Sequence, residues 1–570
     1  MKQLICEVGR EIYIVYPEAI TSYEFDVAER IDAHIRATAS VTPVMVHASG
    51  LPQKAPAILV GNTGCEETLC AAREISYGEG ILRIYGNRVV IAAWTDDSLP
   101  QLGAVLTDAL HAGRGGGLEL EDGVNGRRVW DGSFLRYLPL LGETAPTAYR
   151  KGENNSKLLI FADSTPHTLD AYVEKLLASG YQWVSRREVN GNLFAALKNS
   201  TTLVHVCFTP CNSYLRVIAD PADSGVLSFP DDRALCAPQM HVIGRRFSET
   251  ARYLGVDAGC GNMSYVFRLS NGEFLVVDGG LETDSYADAI MEALERSAPD
   301  RERIVIASWV ITHSHADHTG GFFRFTQKYR SRVAVLRQFI TNYPSIQDAE
   351  AFREAWNIRR NREILRSYWK ETHYAKVHTG DIAVLADARL EFLYTQEDFV
   401  RQYLSILNSP EYNNASMAFR VSIAGETIMM MGDTEHAAND IIVAMYGDSL
   451  KSDLLQVCHH GGRGGTRALY SLIDPEVAFF CTSDSRCPKY LSLDYNFALV
   501  YEQNVKEAYN VSERTLTFHL PYHAAGKHLP PFVGERIYRR AKYLESVAAM
   551  AQTETEDRAA VERLRLNGCD

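Results

Sequence analysis

The chain has 570 residues, of which 46% are hydrophobic and 23% charged, and this composition is typical of a folded globular protein rather than a disordered chain. This length exceeds what one hydrophobic core organises, so roughly two to four domains are expected. A formal net charge of −13 argues against a protein that coats nucleic acid, because phosphate binding requires a basic excess. Nucleic acid is therefore expected only as a substrate.

The start of the chain and its cysteines predict the cellular compartment. No apolar run approaches the roughly 18 to 20 residues that span a bilayer, so no membrane contact is expected. Glu7 interrupts the apolar start before a signal sequence can form. Eleven cysteines without C-x-x-C pairs argue against a disulfide framework, and Cys207 and Cys211 are interpreted as reduced structural thiols. These features favour the cytoplasm.

Residues 1–117 predict a small α/β domain. Thr21 and Glu24 form a capping-box pattern that opens a helix, and residues 81–93 have the pattern of a β-hairpin. A second helix ends at the glycine-rich residues 111–117, which we interpret as a linker. This order of helix, strand, hairpin and helix is similar to the accessory domain that precedes the catalytic barrel in β-hexosaminidase-type glycoside hydrolases, and such domains are non-catalytic.

Residues 155–235 predict a small α+β domain. One amphipathic helix, at about residues 169–179, is followed by several β-type runs with short turns between them. No cluster of metal ligands is visible in this stretch. The polar, glycine- and proline-containing residues 220–261 predict a connector to the next domain.

A histidine-rich stretch, Thr312-His-Ser-His-Ala-Asp-His-Thr319, follows the apolar β-type run at residues 304–311. In an extended segment His313 and His315 point the same way and can hold one metal ion, while Asp317 and His318 can reach a second ion after a turn. A divalent metal satisfies all four side chains at once, whereas burial without a partner would cost each its hydration. The alternative is a surface loop that binds nothing.

The spacing H-x-H-x-D-H, the strand before it and the two glycines after it resemble the signature of the metallo-β-lactamase superfamily. The resemblance implies an αββα sandwich over residues 241–525, an α/β fold preceded by the two smaller domains. Asp278, at the end of another strand, then supports the metal loop from behind. Gly432 and Asp433 end a further strand, and the resemblance implies that Asp433 bridges two metal ions.

A strand at residues 454–457 leads to two consecutive histidines, where the resemblance implies the last ligand of the second metal. We favour His459 as this ligand because it follows the strand closely. His460 is then expected either to contact this ligand without binding the metal, or to face the substrate and protonate the leaving oxygen. The sequence leaves the choice between the two histidines open.

The third histidine that many members use for the first metal is missing from its usual segment. Asn413-Asn414-x-Ser416, followed by Gly-Asp and His-His-Gly, resembles the branch of the ComEC hydrolase domain and the phosphorylcholine esterases. That branch implies phosphodiester cleavage, with Asn414 as a neutral ligand. His373 and His378 are alternative sources of an imidazole, although ordinary loop histidines are favoured there.

An amphipathic helix is predicted after the histidine stretch, and its arginines include Arg359, Arg360 and Arg362. The simpler interpretation is a solvated basic face. The second interpretation is a surface that binds the phosphate of a substrate, and the resemblance implies that a lid is often inserted at this place in the chain. The charged and periodic residues 530–570 predict a C-terminal helical tail.

The resemblance implies a hydrolase with two divalent metal ions, zinc by ligand type and manganese or iron as alternatives. A metal-bridged hydroxide would attack the substrate, with Asp317 orienting it. The leading prediction is a phosphodiester or related phosphate ester, small or oligomeric, as substrate. Hydrolysis of a thioester, a lactone or another carbonyl substrate is an alternative, and so is a non-catalytic scaffold on a hydrolase core.

Overall fold

The computed structural model describes residues 2–113, 115–142, 146–245, 262–399, 412–482, 486–511 and 514–530. The predicted helical tail from residue 531 onward and residues 246–261 of the predicted connector lie outside these ranges. No helix within them is long and apolar enough to cross a bilayer. Their nine cysteines, with Cys207 and Cys211 among them, are free thiols.

The N-terminal unit packs helices on a mixed sheet with the strand order β3-β2-β4-β6-β5-β9. The predicted capping box is present, because Thr21 and Glu24 exchange hydrogen bonds at the start of the first helix. Its elements are β1 Lys2–Cys6, β2 Glu11–Tyr16, α1 Ser22–Thr38, β3 Thr42–His47, β4 Ala57–Val60, α2 Glu66–Ala72, β5 Glu79–Tyr85, β6 Arg88–Ala93, α3 Leu99–Ala109, β7 Leu110–Ala112, β8 Leu118–Glu121 and β9 Arg128–Trp130.

The glycine-rich residues 111–117 do not form the predicted linker. His111 and Ala112 belong to β7, which pairs antiparallel with β8, and β8 also pairs with β1. Gly113 N–H donates to the Gly117 carbonyl at 2.8 Å. Because β9 pairs with β5, the unit continues to Trp130, beyond the predicted boundary at residue 117.

The second unit is an antiparallel sheet with the order β10-β11-β15-β14-β13-β12 and one helix on one face. Leu169, Tyr172 and Leu176 of that helix pack into its core. All eight residues of β14 are buried, because the opposite face packs on the next domain. The elements are β10 Ala148–Lys151, β11 Lys157–Phe161, α4 Pro166–Ala178, β12 Gln182–Val189, β13 Asn192–Lys198, β14 Thr202–Thr209 and β15 Tyr214–Pro221.

The third unit contains two sheets of seven described strands, with orders β21-β20-β19-β18-β17-β16-β29 and β22-β23-β24-β25-β26-β27-β28. Its elements are β16 Gln239–Arg245, β17 Tyr265–Arg268, β18 Phe274–Val277, α5 Asp284–Ser297, β19 Ile304–Val310, α6 Ala316–Tyr329, β20 Val333–Thr341, α7 Ile346–Ala351, α8 Ala355–Tyr368, β21 His373–Lys376, β22 Ile382–Leu385, β23 Ala388–Tyr394, β24 Ala418–Ile423, β25 Glu426–Met430, α9 His436–Tyr446, β26 Leu454–Gln456, α10 Arg467–Ile473, β27 Val477–Phe480, α11 Cys487–Leu491, α12 Asp494–Phe497, β28 Glu507–Asn510 and β29 Arg514–His519.

The two sheets share one core, in which Phe267 and Val310 of the first sheet lie in the same cluster as Phe419 and Met430 of the second. Helices α5, α6 and α8 cover the outer face of the first sheet, and α9, α10 and α12 contribute to the core on the outer face of the second. The predicted αββα sandwich is therefore confirmed.

Strand direction places the predicted site residues. Strands β18 and β19 are parallel in the first sheet, and β25 and β26 are parallel in the second. The carboxyl ends of parallel strands meet at one edge of a sheet. The polar residues that follow these four strands therefore converge at one end of the sandwich.

Candidate metal centre

The histidine loop connects β19 to α6. His313 Nε2 and His315 Nδ1 lie 2.9 Å apart, so the two rings share one side of the loop as the alternation predicts. The His313 side chain is buried, whereas 28% of the His315 side chain is exposed. Asp317 and His318 lie in the first turn of α6, and the His318 ring centroid is 4.2 Å from that of His313.

Asp278 accepts hydrogen bonds from two residues of this loop and its following helix. Its Oδ2 accepts a hydrogen bond from His318 Nδ1 at 2.8 Å, and its Oδ1 accepts one from the backbone N–H of Thr312 at 2.8 Å. The contact with Nδ1 leaves His318 Nε2 facing Asp433, 3.2 Å from Oδ2. Burial alone would lower the pKa of His318, but Asp433 and Asp278 outweigh it and raise that pKa to about 10.

Two glycine-containing turns pack backbone against backbone beside Asp278. Gly279 N–H donates to the His318 carbonyl at 2.6 Å, and Gly321 N–H donates to the Gly280 carbonyl at 2.7 Å. A Cβ atom on Gly321 would lie 1.7 Å from the Gly279 carbonyl oxygen. Only glycine therefore allows the approach that aligns Asp278 with the histidine loop.

Asp433 lies at the centre of the site, after β25. Its Oδ2 is 3.2 Å from His318 Nε2 and 3.3 Å from His460 Nε2. The Nε2 atoms of His313 and His459 lie 3.9 and 3.8 Å away. Burial would raise the pKa of Asp433, but the surrounding imidazoles hold it well below its usual range.

Several donor atoms of the site fit a metal ion. Three ligand atoms, one from each of His313, His315 and Asp433, lie within 4.8 Å of one another. A second group of three, one from each of Asp317, His318 and His460, is equally close. Among the described residues, His318 Nε2, His460 Nε2 and Asp433 Oδ1 are buried and form no hydrogen bond. Such atoms are costly to bury without a partner, and divalent cations are the partners that imidazole and carboxylate groups share.

The structure places His460, rather than the predicted His459, beside Asp317 and His318. His460 Nε2 is 3.3 Å from Asp317 Oδ2, whereas His459 Nδ1 is 3.0 Å from Glu435 Oε1. Both histidines have positive φ, 45° and 57°, in a tight turn after β26. Positive φ at both residues ends the alternation of the strand, so closeness to the strand end does not identify the ligand.

Asn414 does not face the metal ligands as predicted. Its Oδ1 accepts hydrogen bonds from the backbone N–H groups of Glu435 and Ala438, at 3.1 and 3.3 Å, and so holds the start of α9. The neighbouring Asn413 donates from Nδ2 to Glu435 Oε1 at 2.7 Å. The Asn-Asn pair therefore orients the helix and the carboxylate beside His459.

Gln456 is a positioning residue that the sequence interpretation missed. Its Oε1 accepts from the N–H groups of Met431 and Gly432, both at 2.7 Å, and its Nε2 donates to the Gly432 carbonyl at 3.0 Å. Gly432 has a φ of 53°, and a Cβ there would approach Ser416 and Thr312 to 3.1 Å. The signal available in the sequence was a glutamine at the end of an apolar strand. The structure buries this side chain fully.

Residues 346–368 cover the histidine loop as a lid. Asn357 Nδ2 donates to the Ser314 carbonyl at 2.8 Å, and Tyr412 Oη lies 2.8 Å from Ser314 Oγ. Glu354 Oε1 lies 3.7 Å from His315 Nε2, a carboxylate that the sequence interpretation did not include. This contact puts the lid at the exposed side of the first metal group, which consists of His313, His315 and Asp433.

The three lid arginines are paired with carboxylates. Arg359 pairs with Glu350, Arg360 with Glu282, and Arg362 with Glu153. Arg360 also lies over the rings of Phe323 and Trp356, 4.3 and 4.8 Å from their centroids. A phosphate would have to compete with these carboxylates, so the phosphate-binding surface stays a prediction.

Neither of the alternative histidines reaches this centre. His373 Nε2 contacts the Gly225 carbonyl at 2.7 Å, and His378 lies between Asp220 and Glu397. The first metal group is thus formed by His313, His315 and Asp433 without a third imidazole from these positions.

One family model matches part of the chain. Residues 257–339 match the Metallo-beta-lactamase superfamily. The matched segment contains Asp278 and the whole histidine loop, whereas Asp433 and His460 of the second sheet lie beyond it. No curated protein sequence matches the chain.

Solved structures similar to part of the chain include CmlA, a diiron beta-hydroxylase from Streptomyces venezuelae (12% identity, 53% of this chain, 55% of that chain, TM-score 0.29). A diphosphatase from the PhnP family is 13% identical, over 52% of this chain and 92% of that chain, with a TM-score of 0.25. The short form of human tRNase Z is 14% identical, over 44% of this chain and 94% of that chain, with a TM-score of 0.25. This chain thus spans 55% of the CmlA chain.

Proposed function

We propose that residues 241–525 form a metal-dependent hydrolase with two divalent cations, acting on a phosphodiester or a related phosphate ester. The observation that carries the proposal is Asp433 Oδ2, which lies 3.2 to 3.9 Å from imidazole nitrogens of two ligand groups. His313, His315 and Asp433 would hold the first cation, and Asp317, His318, His460 and Asp433 the second. Zinc suits this mixture of imidazole and carboxylate, with manganese or iron as alternatives.

Divalent cations held by these residues would supply an activated water and would neutralise the charge that develops on a phosphate. The side chains supply orientation. Asp278 fixes the ring of His318, Gln456 fixes the loop that carries Asp433, and Asn357 of the lid holds the Ser314 carbonyl of the histidine loop.

His459 is placed to move a proton at the mouth of the site. About a fifth of its side chain, 21%, is exposed, and its Nδ1 faces Glu435 Oε1 at 3.0 Å. In this proposal Nε2, which lies 3.8 Å from Asp433 Oδ2, holds the proton for the leaving oxygen of the substrate. This assignment exchanges the roles that the sequence suggests for His459 and His460.

The choice of a phosphodiester rests on the Asn413-Asn414-x-Ser416 pattern with its resemblance to the ComEC-like branch. Ser416 Oγ accepts from the Asp433 N–H at 3.1 Å, so this motif belongs to the framework of the centre. The resemblance of the N-terminal unit to a glycoside hydrolase accessory domain stays a prediction, and so does the cytoplasmic location.

The test uses the purified full chain with added zinc or manganese and four substrates: bis(4-nitrophenyl) phosphate, nitrocefin, a lactone and a thioester. Turnover of the phosphodiester is expected, with loss of more than about 100-fold in Asp433→Asn. The matched control is Asp453→Asn, a carboxylate at the exposed opposite end of β26 that holds Thr427. Turnover of a carbonyl substrate alone would overturn the phosphodiester assignment, and bound metal without any turnover would favour a scaffold.

A further inference from the structure

A second group of side chains that can ligate a metal lies where the second unit packs on the third unit, which we call the metal domain. His205 is on β14, Asp220 on β15, and His378 follows β21. One ligand atom of each side chain lies within 4.8 Å of those of the other two, and all three residues are buried. The sequence gives no hint of this group, because its members come from two domains.

Each imidazole of this group is held by a carboxylate at Nδ1. His378 Nδ1 lies 2.6 Å from Glu397 Oε2, and His205 Nδ1 lies 3.3 Å from Asp381 Oδ1. The ring centroids are 4.2 Å apart. A carboxylate at one nitrogen fixes the tautomer and leaves Nε2 as the nitrogen for a ligand, which is the arrangement behind metal-binding histidines.

The atoms left over in this arrangement have no hydrogen-bond partner. Among the described residues, His205 Nε2, His378 Nε2 and Asp220 Oδ2 are buried and form no hydrogen bond. His378 Nε2 and Asp220 Oδ2 are only 2.8 Å apart, yet they lack the alignment of a hydrogen bond. A buried polar atom without a partner is costly, and a single cation would satisfy all three.

The local charges also leave room for a divalent cation. Asp220, Asp381 and Glu397 supply three carboxylates around the two imidazoles. Lys376 Nζ lies 3.0 Å from Glu397 and 3.4 Å from Asp220, and it offsets one of these charges. Two negative charges remain in a buried site, where uncompensated charge is costly.

We propose that His205, Asp220 and His378 bind one divalent cation, and that zinc is the ion that two imidazoles and one carboxylate fit best. All three ligands are closed off from solvent, so the site is structural. By linking β14 and β15 to the segment after β21, the cation would join the second unit to the metal domain. This proposal does not depend on the proposed hydrolase activity.

The competing explanation is that protons rather than a metal balance the charges. Burial alone lowers the pKa of His378, but Glu397 and Asp220 outweigh it and raise that pKa to about 10. A protonated His378 would then offset one of the remaining negative charges without a cation. This explanation leaves Asp220 Oδ2 and His378 Nε2 close but misaligned, which is why a metal analysis decides between the two.

The first test measures zinc, manganese and iron per chain by mass spectrometry after expression with zinc. The double variant His205→Gln, His378→Gln is expected to hold one metal equivalent less than the wild type. The control is His373→Gln, a partly buried histidine on β21 whose Nε2 contacts a backbone carbonyl, and it should retain every equivalent. An unchanged metal content in the folded double variant would overturn the proposal.

The second test needs no variant. Crystals of the wild-type chain grown with zinc should show an anomalous peak at the zinc edge between His205, Asp220 and His378. Zinc peaks at Asp433 with none at this position would overturn the proposal. A peak here with none around Asp433 would support it and would count against the proposed hydrolase.

Discussion

Asp278 and His318 are joined by a 2.8 Å hydrogen bond between Oδ2 and Nδ1, although they are separated by 40 positions in the sequence. The bond fixes which nitrogen of His318 faces Asp433. Replacing Asp278 with Asn removes the charge that makes His318 a strong donor to a metal, and we expect metal affinity to fall about 10- to 100-fold. Zinc titration against a competing chelator measures this.

The control for Asp278→Asn is Asp284→Asn, which removes an exposed carboxylate paired with Arg324 on the same side of the first sheet. That variant should bind zinc like the wild type. Equal affinities for both variants would show that Asp278 does not tune the centre.

The two consecutive histidines provide a matched pair of variants. His460→Gln should lose about one metal equivalent, because Nε2 lies 3.3 Å from both Asp317 and Asp433. His459→Gln should keep its metal and lose turnover by about 10²- to 10⁴-fold, because the proposed function gives His459 the proton for the leaving oxygen and not the cation. Metal content and kcat are measured on the same samples, and the opposite pattern would restore the order that the sequence suggests.

Gly321→Ala should destabilise the metal domain by about 3 kcal/mol, because the new Cβ would overlap the Gly279 carbonyl oxygen at 1.7 Å. Chemical denaturation measures the free energy of unfolding. Gly123→Ala is the control, since no atom lies within 4 Å of a Cβ at that position. Similar losses in the two variants would mean that the backbone contact beside Asp278 is not tight.

Glu426 predicts a pH dependence of stability. Burial raises the pKa of this carboxyl to about 7, against 4.5 in its ordinary setting, while its contact with the Tyr522 N–H opposes the rise. The unfolded chain releases this proton first, so the contribution of Glu426 to the free energy of unfolding falls as pH rises from 4.5 to 7. Above that window the native state carries the full penalty.

Glu426→Gln keeps an acceptor for Tyr522 and removes the titration. At pH 8 we expect the variant to be more stable than the wild type by up to about 3 kcal/mol, with little difference near pH 4.5. Glu476→Gln, which replaces a carboxyl paired with Lys506 at the surface, is the control. A difference between variant and wild type that does not change with pH would contradict the prediction.

The lid arginines differ in what they neutralise. Glu153 is fully buried and contacts Arg362 and the Tyr374 hydroxyl, so Arg362→Ala should cost about 3 kcal/mol of stability. Arg359 pairs with Glu350 at the surface, and Arg359→Ala should cost less than about 1 kcal/mol. If the Michaelis constant for a phosphodiester rose in Arg359→Ala without a loss of stability, the phosphate-binding interpretation would return.

Much of the metal centre can be predicted from the sequence because its ligands follow apolar strands. A polar residue directly after a buried strand lies at the end of a sheet, and this rule places Asp278, the histidine loop and Asp433 together. The rule does not distinguish His459 from His460, because a tight turn with positive φ replaces the alternation of the strand.

The remaining residues depend on contacts that no local pattern encodes. His205 lies in the run Leu-Val-His-Val-Cys-Phe, which has the composition of a core strand, and its neighbours become visible only when β14 packs on the metal domain. Asn414 is similar, since its pattern suggests a ligand while its oxygen is taken by the amides that begin α9.

The pairing of β29 with β16 constrains how the protein is made. Met240 lies opposite Phe518, so the first sheet gains its outermost described strand only after the second sheet has been translated. During synthesis, the edge of β16 that will bind β29 therefore keeps unpaired backbone groups until the rest of the domain has been translated. A nascent chain released before residue 514 would carry that edge into the cell, where it can pair with other chains and aggregate.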